Sequence, residues 1–138
     1  MDSTITDTLS ASAKRYVFVY GSLRVGQERD INLLQPTPIF MGKGQINGDL
    51  YDLGSYPGAR LGGAKWVQGE IYQISAELER QLDAIEEVWP QQSREYVRRE
   101  VLVQCAGAAL TCLVYEVAEA RTQGKAVIAS GDWVKKQS

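Results

Sequence analysis

Tyr16-Val17-Phe18-Val19-Tyr20-Gly21-Ser22-Leu23 is the stretch from which the fold of this chain can be read. Its first five residues are aromatic or β-branched, with no polar interruption. Such a run predicts a strand covered on both faces, and therefore a central one. Gly21 then ends the strand in a turn where φ > 0 is open to it. A turn of this kind can aim the N–H groups of Gly21, Ser22 and Leu23 at one point and hold a small anion, with Arg24 adding charge. A plain strand-to-loop connection is the alternative.

Outward from this strand, Asp30–Leu34 reads as one helical turn. Ile39–Tyr51 reads as a second extended stretch, loosened by Gly42, Gly44 and Gly48 in the manner of a curved sheet. Residues 52–63, with Tyr56-Pro57-Gly58, read as a Gly/Pro-rich loop. Trp66–Ile74 alternates as a strand. Tyr96–Val103 and Leu110–Val117 form a hairpin pair around Ala106-Gly107-Ala108-Ala109. Ser130-Gly131-Asp132-Trp133 reads as a turn with an anchoring Trp.

The clearest helix is Ala76–Glu86, ended by Val88-Trp89-Pro90. Ser75 suits the N-cap, and Glu77 and Glu79 suit the positive end of the helix dipole. Leu78, Leu82 and Ile85 follow i, i+4, i+7 and form the buried stripe. Glu86 falls about 70° from the centre of that stripe, neither plainly core nor plainly solvent. The negative end of the dipole and partial burial both disfavour its ionised form, which raises the pKa as a proton acceptor near neutral pH requires. A solvated helix-end glutamate paired with Arg80 or a nearby Arg is the bland alternative. Glu87 falls on the solvent side. Asp83 is also on the polar side and suits either a backbone group or Arg98, while Arg98 and Arg99 read as strand surface charges or as partners for helix acids.

Composition narrows the chemistry. The chain has 138 residues, 44% hydrophobic and 23% charged, with a net charge of −2. This fits one domain, residues 15–138, behind a frayed tail at residues 1–14. The absence of a basic surplus argues against nucleic acid. No residue is histidine, which removes the commonest general base, the Ser/His and Cys/His nucleophile pairs, and imidazole metal sites. Acid–base work then falls to a carboxyl group, Lys, Cys or Tyr. Cys105 and Cys112 form no CxxC; they read as buried free thiols, with a cross-strand disulfide as the alternative. No signal peptide and no membrane-spanning run are evident, so a cytoplasmic location is expected. Tyr51, Tyr56, Tyr96 and Tyr115 are candidates to offer hydroxyls to a pocket.

The chain resembles the gamma-glutamylcyclotransferase-like, or AIG2-like, family. Tyr20-Gly21-Ser22-Leu23 with Arg24 and Gly26-Gln27 is similar to its opening motif. Gly48-Asp49-Leu50-Tyr51-Asp52-Leu53-Gly54 with Tyr56-Pro57-Gly58 is similar to its second block, and Gly69-Glu70-Ile71-Tyr72 to its third strand. Leu82-Asp83, Glu86, Tyr96 and Arg98, and finally Ser130-Gly131-Asp132-Trp133, follow in the family's order. The resemblance covers roughly residues 16 to 134.

It implies an α+β fold: a curved, barrel-like mixed sheet of about five to seven strands with one main helix. It implies a cavity with the Tyr20–Leu23 loop on one side and an essential glutamate, Glu86, on the other. Many relatives have glycine where this chain has Glu87. The implied reaction cyclises a gamma-glutamyl amide to 5-oxoproline and a free amine, with Glu86 as base and then acid and with no metal or cofactor. Tyr20, Gly21, Ser22, Leu23, Tyr51, Tyr96 and Tyr115 are then the expected substrate-binding residues. A binding module that holds a glutamate-like anion without turnover is the alternative. A partner-binding scaffold using Trp66, Trp89 and Trp133 is a third reading. Neither the leaving amine nor the oligomeric state can be read from the sequence.

Overall fold

A computed structural model describes residues 14–88 and 92–135. The tail expected at residues 1–14 lies, except for Lys14, outside the described residues, as do Trp89 and Pro90. The described residues fold as a curled, mixed six-stranded sheet with one α-helix. The strands are β1 (Arg15–Val19), β2 (Ile39–Asp52), β3 (Pro57–Ile74), β4 (Tyr96–Cys105), β5 (Ala108–Val117) and β6 (Ala126–Val127), and the helix α1 is Ala76–Ile85. Their order in the sheet is β4-β5-β1-β3-β2-β6, with a further pairing of β5 to β3.

β1 is central, as its apolar run predicts. It lies antiparallel to β3 and parallel to β5. Successive side chains on a strand point to opposite faces, and β1 feeds two cores in this way. Phe18 joins Ile46, Leu50, Val67, Ile71 and Val114 inside the curl. Val17 and Val19 join Leu78, Leu82, Leu113 and Tyr72 on the other face, beneath α1. Each fully buried Leu or Val stabilises the fold by about 1.5–3 kcal/mol, so this two-sided strand is where the fold is anchored.

The expected loop at residues 52–63 is a correction. Only residues 53–56 connect strands, because β3 begins at Pro57 and pairs with β2 along nearly its whole length. Asn47 faces Trp66 while Gly48 faces Leu61, so residues 62–65 bulge out of the ladder. Gly62 and Gly63 take φ of +103° and +88° there. The glycines thus belong to a bent hairpin rather than to a loop. The β4–β5 turn is also tighter than expected. Ala106 and Gly107 form it alone, both with positive φ, while Cys105 pairs with Ala108. Such a two-residue turn matches the twist of the flanking strands. Cys105 and Cys112 are both buried and free.

α1 forms where its signals predict. Ser75 accepts a hydrogen bond from the Leu78 N–H at 3.0 Å, and Leu78 and Leu82 are fully buried. The helix ends in a Schellman motif. Glu86 is the C-cap, the Glu87 N–H donates to the Ala84 carbonyl at 3.1 Å, and the Val88 N–H donates to the Asp83 carbonyl at 2.8 Å. Two helix-end carbonyls are thereby satisfied. Val88 packs against the core beneath the helix. Arg98 on β4 reaches Asp83 at 2.5 Å and also binds Glu79, which Arg15 of β1 grips with two hydrogen bonds. This network fixes α1 to the sheet and with it the position of Glu86.

Candidate functional site

The end of β1, the starts of β3 and β4, the end of β5 and the C-terminus of α1 meet around a cavity of about 270 Å³. Tyr20, Gly21, Ser22 and Leu23 line one side, and Ile85, Glu86 and Glu87 line another. Tyr56, Tyr96 and Tyr115 complete the aromatic wall. The structure therefore brings Tyr20, Gly21, Ser22, Leu23, Glu86, Tyr96 and Tyr115 to one place. It does not bring Tyr51 there. Leu50 takes the interior of the curl, so its neighbour Tyr51 faces the opposite side of β2, where its backbone pairs with Gly58 and Val127.

Among the described residues, no hydrogen-bond partner takes the N–H groups of Gly21, Ser22 or Leu23. The loop is held by other groups. The Arg24 N–H donates to the Gly21 carbonyl, the Arg29 N–H to that of Ser22 and the Ile31 N–H to that of Leu23, at 2.8–3.0 Å. Carbonyls are satisfied while amides stay open, the pattern an anion cradle needs. Gly21 does not take the positive φ expected of it. Its requirement is spatial: a Cβ there would stand 2.6 Å from Pro57 Cγ.

Arg24 is a second correction. It does not add charge to the cradle but turns into the protein and is buried. Its Nε donates to Glu70 Oε2 at 3.0 Å and its Nη1 to Asp132 Oδ1 at 2.8 Å. Glu70 also accepts the Val25 N–H and the Tyr72 hydroxyl, each at 3.0 Å. Ser130-Gly131-Asp132-Trp133 therefore acts through Arg24 on the loop. Gly131 has φ +69° and lies so close to the Trp66 carbonyl that any Cβ would collide with it.

Glu86 is half-buried, and among the described residues no hydrogen bond or ion pair reaches its carboxylate. Burial pushes its pKa up to about 7; the Arg29 charge works against this, while Glu95 and Glu87 add to it. The alternative reading, a pairing with Arg80 or a nearby Arg, is not realised among the described residues. The carboxylate is thus poised to take and return a proton near neutrality. Glu87 is exposed and has φ +55°, the conformation for which glycine is preferred.

The tyrosine hydroxyls are engaged. Tyr20 donates to the Tyr115 carbonyl at 2.6 Å and accepts from the Ala59 N–H at 3.1 Å. Tyr96 donates to the Pro57 carbonyl at 2.8 Å. Tyr115 donates to Asp83 Oδ1 and Tyr56 to Glu95 Oε2, both at 2.6 Å. Burial holds the phenol pKa values of Tyr20, Tyr96 and Tyr115 well above their usual range, and the bond to Glu95 raises that of Tyr56. Glu28, Arg29 and Glu95 also line the cavity, although nothing in their local sequence marks them. Among the described residues, no cluster of three or more His, Cys, Asp or Glu side chains suits a metal ion. No helix there is long and apolar enough to cross a membrane.

The sequence profile of the family described as "Gamma-glutamyl cyclotransferase, AIG2-like" matches residues 17–135. The chain belongs to this family. The gamma-glutamylcyclotransferase family protein YtfP of Escherichia coli K12 is 34% identical over 125 residues, covering 86% of this chain and 95% of that protein. Among solved structures, the solution structure of E. coli YtfP is similar with a TM-score of 0.59 at 32% identity, covering 89% of this chain and 99% of that one. The crystal structure of an AIG2-like protein from Mus musculus has a TM-score of 0.67 at 25% identity, covering 83% and 85%. The curled mixed sheet with one helix is therefore the AIG2-like fold.

Proposed function

We propose that this chain is a gamma-glutamyl cyclotransferase that converts a small gamma-glutamyl amide to 5-oxoproline and a free amine. The observation that carries this reading is the shared cavity, which sets the unpartnered Glu86, with its pKa near 7, opposite the open amides of Gly21, Ser22 and Leu23. The loop amides hold the alpha-carboxylate of the glutamyl group. Glu86 takes a proton from the alpha-ammonium, and the freed amine attacks the gamma-carbonyl carbon. A carbon–nitrogen bond closes the five-membered lactam as the bond to the leaving nitrogen breaks. Glu86 returns the proton to that nitrogen. The second proton, which the attacking nitrogen sheds as it becomes a lactam N–H, also passes to the amine, which leaves as an ammonium ion. The reaction therefore consumes no water and no external acid. Because nucleophile and carbonyl belong to one molecule, correct folding of the substrate supplies much of the rate.

Incubation with a set of gamma-glutamyl amides, with 5-oxoproline detected by mass, tests this. Release by the wild type and its loss in Glu86→Gln are expected. Saturable binding of every compound without product would establish the alternative, a module that only holds a glutamate-like anion.

A further inference from the structure

The cavity has a donor edge and an acceptor wall, and the wall is larger than a glutamyl group needs. The hydroxyl protons of Tyr56, Tyr96 and Tyr115 are all committed to the protein, on Glu95, the Pro57 carbonyl and Asp83. A phenol whose proton is spent can only accept from a ligand. Each therefore turns lone pairs, not a donor, to the cavity. The half-buried Glu95 stands among them, and the exposed Glu28 and Glu87 stand at the mouth. Against these, the donors are the loop amides, the serine hydroxyls and Arg29, the one cationic side chain among the described lining residues.

The glutamyl group does not use up this wall. Its alpha-carboxylate and alpha-ammonium cancel in charge. The carboxylate takes the donor edge, and the ammonium has three N–H groups to place, one of them toward Glu86. Glu95, Glu28 and Glu87 remain, outnumbering Arg29, and Tyr56 and Tyr96 line the same cavity with aromatic rings of the kind that attract cations. A carboxylate on the leaving half would meet acceptors and like charge, at a cost larger than in water because the wall is partly desolvated. The small volume limits the leaving half to a short chain.

Building on the cyclotransferase reading, we infer that the amine released carries a second, positively charged nitrogen and no carboxylate, and that Glu95, with its bound Tyr56, is the residue that selects it. Tyr56 fixes one carboxylate oxygen of Glu95 and leaves the other for the ligand.

Three synthetic amides of the glutamate side-chain carboxyl decide the matter: the 4-aminobutyl, pentyl and 4-carboxybutyl amides, matched in length and differing only in terminal charge. Their binding to the Glu86→Gln variant is measured by calorimetry, and their turnover by the wild type through 5-oxoproline release. Expected is binding of the aminobutyl amide about tenfold tighter than the pentyl amide, with the carboxybutyl amide weakest. The preference should weaken as salt rises, and Glu95→Gln should cut the aminobutyl-to-pentyl ratio several-fold. Equal binding of the three, or preference for the carboxybutyl amide, overturns the inference. Binding in the expected order with no 5-oxoproline from any wild-type incubation would keep Glu95 as the selector of a cationic gamma-glutamyl ligand while refuting the cyclotransferase reading, and with it the release of an amine.

Discussion

Arg24 Nη1 lies 2.8 Å from Asp132 Oδ1, which ties the loop after β1 to a turn 108 residues later in the chain. Both side chains are almost wholly removed from solvent, and Glu70 completes the set at 3.0 Å. A buried pair adds little stability over an apolar replacement, but breaking it by removing one partner is costly. Asp132→Ala is therefore expected to lower stability by roughly 3–5 kcal/mol, read from urea denaturation. Because Arg24 braces the loop with the open amides, KM for a gamma-glutamyl amide should rise more than kcat falls. An equal fall in kcat with KM unchanged would show that the loop is not what Asp132 supports.

The contact between Gly21 and Pro57 yields a second prediction. Gly21→Ala adds a Cβ 2.6 Å from Pro57 Cγ and 2.8 Å from Pro57 Cδ. Since φ at residue 21 is not positive, the harm is overpacking alone, worth about 1–3 kcal/mol. Gly21→Ala should lose stability and activity, and Pro57→Ala in the same chain should restore part of both by vacating the space. A double mutant no better than the single would mean that the backbone conformation, not the contact, demands glycine.

Sequence legibility follows from how local each cause is. β1 is legible because burial on both faces leaves an unbroken apolar run, and α1 because Ser75 and the Leu78–Leu82–Ile85 stripe act within a few turns. Glu86 is legible for the same reason: its angle from the stripe and its place at the helix end are local. The start of β3 is not, since Pro57, Gly58, Gly62 and Gly63 look like a loop until the distant β2 pairs with them. Arg24 looks like a free charge because its acceptors lie 46 and 108 residues away. Tyr51 and Tyr56 are equally eligible by composition, and only the face taken by Leu50 and the turn after β2 separate them.

Glu87 offers a third test. It holds the C′ position of the Schellman motif with φ +55°, where a side chain is strained by about 1 kcal/mol relative to glycine. Glu87→Gly should raise thermal stability by roughly that amount. It also removes one of the charges that push the Glu86 pKa up, so the rising limb of the pH–activity profile should move to lower pH. A stabilised variant whose profile does not move would separate the backbone role of residue 87 from its electrostatic one.

The raised pKa of Glu86 also makes a prediction about stability that needs no substrate. Its ordinary value of 4.5 applies to the unfolded chain, and about 7 applies to the folded one. Between these values the folded protein binds more protons than the unfolded, so stability falls as pH rises. Below pH 4.5 the group is neutral in both states and contributes no penalty. The stability present there is lost as pH climbs through 7, when the folded state must keep a charge in a half-buried site. A shift of this size corresponds to roughly 3 kcal/mol at full ionisation. Glu86→Gln removes the ionisation while keeping the shape. The difference in unfolding free energy between variant and wild type should therefore grow in favour of the variant from pH 5 to pH 8 and then level off. A difference that stays constant over this range would mean that Glu86 titrates normally, and its role as a proton carrier near neutrality would go with it.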